Sequence, residues 1–271
     1  MATAQVQPIS ISSPRFVWLR SKRYDLALLL GTVLLAFSAG AAVSVRPALF
    51  VPILMADIIL LGYHHVGSTF TRIAFDSESL GKYRAFLTWV PLLIAAVVGA
   101  LAYTVGLWLI VTVYFYWQWF HYSRQSYGIA QAFLRKSGVA DNQPNWLRQA
   151  TFYSIPVWGI LARSAEGPRM FLGGQMRALP VPPGLVHVSA FIALCLVAGW
   201  AVRATRNLFR APASLLHTAY LLSHFGIFAV SYLVIHNLEH GWLVINIWHN
   251  AQYILFVWMF NSNRFKSGIH P

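Results

Sequence analysis

The sequence predicts an all-α fold: a polytopic transmembrane helical bundle of about eight spans. Three observations predict it. Of 271 residues, 58% are hydrophobic and only 10% are charged, against about 25% charged in soluble domains. The mean hydropathy is +0.57. The apolar runs are continuous and near the roughly 20 residues that carry a helix across a bilayer, whereas spanning strands would alternate apolar and polar residues. A disordered chain, a disulfide-stapled module and an ordinary soluble globule are excluded.

Residues 1–24 form a polar tail with a basic cluster. They lead into a long apolar run with no small-residue cleavage site, which reads as a first span rather than a signal peptide. The transmembrane domain, 25–260, divides into spans at roughly 25–45, 48–70, 85–105, 107–122, 147–163, 184–202, 214–237 and 241–260. The fifth is short and interrupted by Pro156 and Gly159. The Gly- and Pro-rich stretch 164–183 reads as an outer loop with the makings of a lid. Residues 261–271 form a second tail. With the N-terminus inside, 16 of the 20 basic residues fall in inner segments, leaving Arg46, Arg163, Arg169 and Arg177 outside. This positive-inside split favours eight spans over seven and puts both termini in the cytoplasm, as expected for a bacterial inner-membrane protein. The net charge of +13 is therefore a topology signal, and no basic stripe points to nucleic acid. Cys195 is the single cysteine, so no disulfide framework or Cys-pair metal site exists.

Ten histidines outnumber seven acidic residues, although ionisable side chains are costly in a membrane. Asp57 and His64 are seven apart and so share one helix face, two turns apart. His65 shares a face with Ser68, Thr69 and Arg72. Gln118, His121, Tyr122 and Gln125 make a polar seam in an aromatic helix. His217, Tyr220 and His224 form another, and His249 is followed at i+3 by Gln252. At about 1.5 Å per residue, His64, His65, His121 and His217 fall in roughly the first 10 Å from the inner edge. Asp57, His224 and His249 fall roughly 15–22 Å in by the same rise. Four helices thus bring histidines to the inner half of the bilayer.

A lone membrane histidine is often an interhelical hydrogen-bond partner. Six on four helices suggest a transition-metal site, because imidazole suits zinc, copper and iron, and bundles build metal sites from facing helices. The expected ligands are His64, His121, His224 and His249, with His65 and His217 as further ligands. Asp57, Gln118, Gln125 and Gln252 suit outer positions, holding an imidazole N–H and fixing its tautomer; Asp57 alone could equally be a packing hydrogen bond. A carboxylate-bridged di-iron site has too few acids to form. His236 and His240, one turn apart near the outer face, read as a second site or a surface pair. Tyr63, Tyr114, Trp117, Phe225 and Trp248 are expected to line a channel for a lipid-soluble substrate. His187 and His270 have no assigned role.

At these residues the chain resembles membrane-embedded, histidine-rich non-haem iron oxygenases. His236-x3-His240 and the His64–His65 doublet resemble parts of the histidine boxes of the fatty acid desaturase/hydroxylase group. The stretch WFHYSRQ around His121 resembles an element of the Brp/Blh-type carotene dioxygenases. Gln125 stands where that family has a second histidine, and its Pro-His-Gly-type start is absent. The resemblance implies iron, dioxygen and a long apolar substrate such as a carotenoid, fatty acyl or isoprenoid lipid.

The reading that follows is a non-haem, iron-dependent oxidoreductase working with dioxygen and a redox partner, with copper or zinc as other metals. Two other classes fit the same residues. A b-type haem electron carrier would use two of the histidines, such as His224 and His249, as axial ligands. A transporter or proton relay would use Asp57 and the histidines, although no internal repeat is present. A scaffold would need the histidines for stability alone.

Overall fold

The computed structural model describes residues 17–139, 143–210 and 214–265; Arg15, Lys266 and His270 lie outside them. Among the described residues the chain is almost wholly helical, with eight helices in a bundle. Helix α1 spans Lys22–Val45 and α2 runs over 47–74. Helix α3 is Ser77–Thr104, α4 Leu107–Ser137, α5 Asn145–Ala165 and α6 Pro183–Arg210. Helix α7 runs from Leu215 to a π-helical turn at Val230–Val234, and α8 is Leu238–Arg264. A two-stranded hairpin, β1 (Met170–Phe171) and β2 (Gly174–Gln175), fills the α5–α6 connection.

Six of the eight, α1, α2, α3, α6, α7 and α8, are long and apolar enough to cross a membrane. Helices α4 and α5 fall short of that composition because of their polar side chains, Gln118 to Ser126 in one and Arg148 to Ser154 in the other. Those side chains point inward: Gln118, Ser123, Ser126, Thr151 and Ser154 are buried. Pro156 is accommodated inside α5, which continues to Ala165.

Helix α8 is the centre of the bundle. Every residue from Gly241 to Gln252 is buried, as expected of a helix surrounded on all sides, and it packs on α1, α2, α4 and α7. Helix α3 lies at the edge, packs mainly on α2 and α4, and has no buried residue. The chain breaks between α7 and α8. Arg163 of α5, buried, donates to the carbonyls of Ile235 and His236 (3.0 Å to the latter) and pairs with Glu166 at 2.9 Å. It thereby satisfies backbone acceptors left open at the break. Gly241 is required here, because a Cβ would run into the Ser231 carbonyl oxygen.

Candidate metal centre

Three helices bring a histidine each to one point. His65 of α2, His121 of α4 and His249 of α8 offer ring nitrogens that all lie within 4.8 Å of one another. The His249 ring centroid is 4.7 Å from that of His65 and 4.8 Å from that of His121. Two nitrogens bound to one metal at about 2.1 Å are at most about 4.2 Å apart, so a side-chain shift of about half an ångström would close the set. Among the described residues the Nδ1 atoms of His65 and His249 are buried without a hydrogen-bond partner, as are several other polar atoms of the bundle. A bound cation would satisfy the two ring nitrogens. Three neutral imidazoles suit zinc, copper or iron and leave further coordination positions open.

The triad lies on the wall of a cavity of about 510 Å³ between α2, α4 and α8. Its rim is formed by Tyr63, Val66 and Trp117, all exposed on the outside of the bundle. Tyr114, Gln118 and Leu172 also line it. Leu172 sits in the left-handed region (φ 49°) ahead of Gly173 (φ 76°) at the tip of the β-hairpin. Its amide donates to Glu239 Oε1 at 2.7 Å. At the deep side stand Asp57, Asn246 and Asn250. Asn246 Nδ2 donates to Asp57 Oδ2 at 2.5 Å, and Asn250 Nδ2 donates to Asp57 Oδ1 at 3.3 Å.

Several expected ligands stand elsewhere. His64 is exposed, on a different face of α2 from His65. His217 is half-buried in a separate cleft with Arg203 and Phe225. His224 is buried, but both ring nitrogens are engaged. Nε2 donates to the Phe152 carbonyl at 3.0 Å, and Nδ1 lies 2.9 Å from Ser126 Oγ. The reason is in α5: the helical donor for the Phe152 carbonyl would be residue 156, which is proline and has no N–H. His224 supplies the missing donor, and no ring lone pair remains for a metal or for the axial position of a haem.

His236 and His240 do not form a helical pair. His236 precedes α8, which begins at Leu238 with Asn237 as its cap, so the spacing does not place the two rings on one face. The His240 ring stacks on Phe50 (5.6 Å).

The outer positions also differ from expectation. Among the described residues none of Asp57, Gln118, Gln125 and Gln252 hydrogen-bonds an imidazole. Gln118 accepts from Trp242 Nε1 (2.7 Å), and Gln252 accepts from Tyr220 Oη (3.0 Å). Gln125 donates to the backbone carbonyl of His249. Tyr63, Tyr114 and Trp117 line the cavity as expected, whereas Phe225 and Trp248 do not. Phe225 packs on Trp200 (5.3 Å), and Trp248 is buried beside Tyr220 and Phe228. His187 is exposed.

Three residues went unnoticed in the sequence. Asn246 and Asn250 sit one turn apart in an apolar helix, a spacing that puts two amides on one face. Tyr253 packs on His65, with ring centroids 4.3 Å apart, and its hydroxyl lies 3.1 Å from Thr69 Oγ1. No family model, no curated protein and no solved structure matches the chain.

Proposed function

We propose that this chain is a membrane metalloenzyme, a non-haem iron oxidoreductase that acts with dioxygen on a lipid-soluble substrate. The observation that carries the reading is the convergence of His65, His121 and His249 on the wall of a cavity whose rim is apolar and aromatic. An iron held by three imidazoles would supply redox chemistry at positions left open for dioxygen and substrate. The protein's own part is positional. Burial of His249 in the central helix fixes one ligand. Tyr253 packs against the second, on α2, and the third comes from α4. The aromatic rim suits an apolar chain, and Leu172 lines the cavity on the side of the hairpin. The haem reading is weakened by the engagement of both His224 nitrogens.

The test is metal analysis of the full chain purified in nanodiscs, followed by anaerobic loading with ferrous iron and exposure to nitric oxide as a dioxygen surrogate. One iron per chain and a high-spin EPR signal that disappears in His121→Ala are expected. Iron, copper and zinc all far below one per chain would overturn the metal reading. Tight zinc with no iron uptake would overturn the redox half.

A further inference from the structure

We infer that the deep side of the cavity recognises the hydrogen-bond-donating end of a long apolar molecule, an alcohol or an amine, with Asp57 as the accepting group. The inference deepens the reading above: it rests on that reading for the reaction, though not for binding.

Asp57 is 4% exposed yet lines the cavity. Among the described residues its hydrogen-bond partners are two amides. Asn246 Nδ2 and Asn250 Nδ2 donate to it, the latter at 3.3 Å to Oδ1 and 3.5 Å to Oδ2. Among the described residues no cationic side chain pairs with it. The amides are themselves oriented: Tyr122 Oη donates to Asn246 Oδ1 at 2.5 Å, which turns the Asn246 nitrogen toward Asp57. The series Tyr122, Asn246, Asp57 therefore runs donor to acceptor and ends in a carboxylate with accepting capacity left over.

A carboxylate buried without a cation is costly, and in a membrane such a residue marks a site that uses it. Beyond the two amides, its remaining lone pairs can accept a donor from a bound molecule. The rest of the cavity says what carries that donor. Tyr63, Val66, Trp117, Leu54 and Ile58 offer apolar and aromatic surface from the rim inward. A hydroxyl or ammonium on an aliphatic chain matches both halves. A fatty acid carboxylate would meet the like charge of Asp57, and an alkane would leave the carboxylate unanswered. Because Asp57 and the three histidines line one cavity, the anchored end shares that cavity with the histidine triad.

The experiment is scintillation-proximity binding of tritiated dodecanol and dodecylamine to the full chain in nanodiscs, competed by dodecane and dodecanoate. Empty nanodiscs correct for partition into lipid, and metal content is measured on the same sample. Saturable binding of the alcohol or the amine, at least tenfold tighter than dodecane and with dodecanoate weakest, is expected. Which of the two binds more tightly separates a hydroxyl ligand from an ammonium ligand. Asp57→Asn should lose at least tenfold, and Asn250→Ala should lose less. The wild-type ligand series decides the matter even if Asp57→Asn fails to fold. Equal affinity for all four compounds, or an Asp57→Asn protein that binds as wild type, overturns the inference. Preferential binding without metal would overturn the metalloenzyme reading and leave this one standing. One metal per chain without preferential binding would do the reverse.

Discussion

Gln125 Nε2 donates to the backbone carbonyl of His249 at 3.1 Å and so ties α4 to α8 beside the histidine triad. Gln125 is one turn past His121 on α4, so one hydrogen bond sets the spacing between two of the three imidazoles. The bond reaches the backbone and not the ring, so its loss should weaken metal binding by less than the about 10–100-fold typical of a bond to a ligating imidazole. Gln125→Leu should show that smaller loss while the helical circular dichroism is unchanged. Titration of the apo-protein against a competing chelator measures it.

His65→Ala, His121→Ala and His249→Ala should each lose stoichiometric metal, because two imidazoles bind far more weakly than three. His64→Ala should retain it, since His64 is exposed outside the triad. Elemental analysis of the four purified variants separates the neighbouring histidines.

His224 should prove structural. His224→Leu removes the donor to the Phe152 carbonyl and the partner of Ser126 Oγ. A buried group left unsatisfied costs about 1–3 kcal/mol. The expected result is a lower unfolding temperature in detergent with full metal content. Loss of metal with unchanged stability would reverse the assignment.

Asp76, in the turn between α2 and α3, caps α3 and pairs with Arg264 at the end of α8 (2.5 Å). The Ser79 hydrogen bond and, after it, the Arg264 guanidinium hold its carboxyl below the usual carboxylate value. Its folded pKa is depressed, so its contribution is present above the ordinary carboxylate value and is lost as pH falls through the lowered one. Thermal unfolding followed across that acid range should show a steeper decline for the wild type than for Asp76→Asn.

Much of this was legible from residue types. The bundle followed from apolar run length, and the cavity wall from Tyr63, Tyr114 and Trp117. His121 and His249 were found because each stands beside polar residues at helical spacing in an apolar helix. The choice of His64 over His65 failed for a local reason. A regular α-helix puts residues seven apart on one face, but α2 contains a π-helical turn at Ile58–Gly62. Such a turn inserts one residue and shifts everything after it by about 100°, so His65 takes the position that the regular repeat gives to His64. Nothing in the apolar run IILLG announces this. The one-face spacing of His236 and His240 is lost because the helix restarts at Leu238, where Arg163, far away in sequence, answers the open carbonyls; both residues still lie toward the surface. His224 misled because its partner is a carbonyl orphaned by Pro156, a relation between two helices that spacing within one cannot express. Asn246 and Asn250 could have been found: paired amides in an otherwise apolar helix need partners.

The rim formed by Tyr63, Val66 and Trp117 bears on how the site is filled. A binding site that opens toward surrounding hydrocarbon samples its ligand from two dimensions. Occupancy then follows the mole fraction of ligand in the bilayer and not its nominal concentration in the vessel. Adding inert lipid at fixed ligand should lower the fraction of sites filled, and raising ligand and lipid together should leave it unchanged. Surface dilution, more than bulk affinity, would set that fraction.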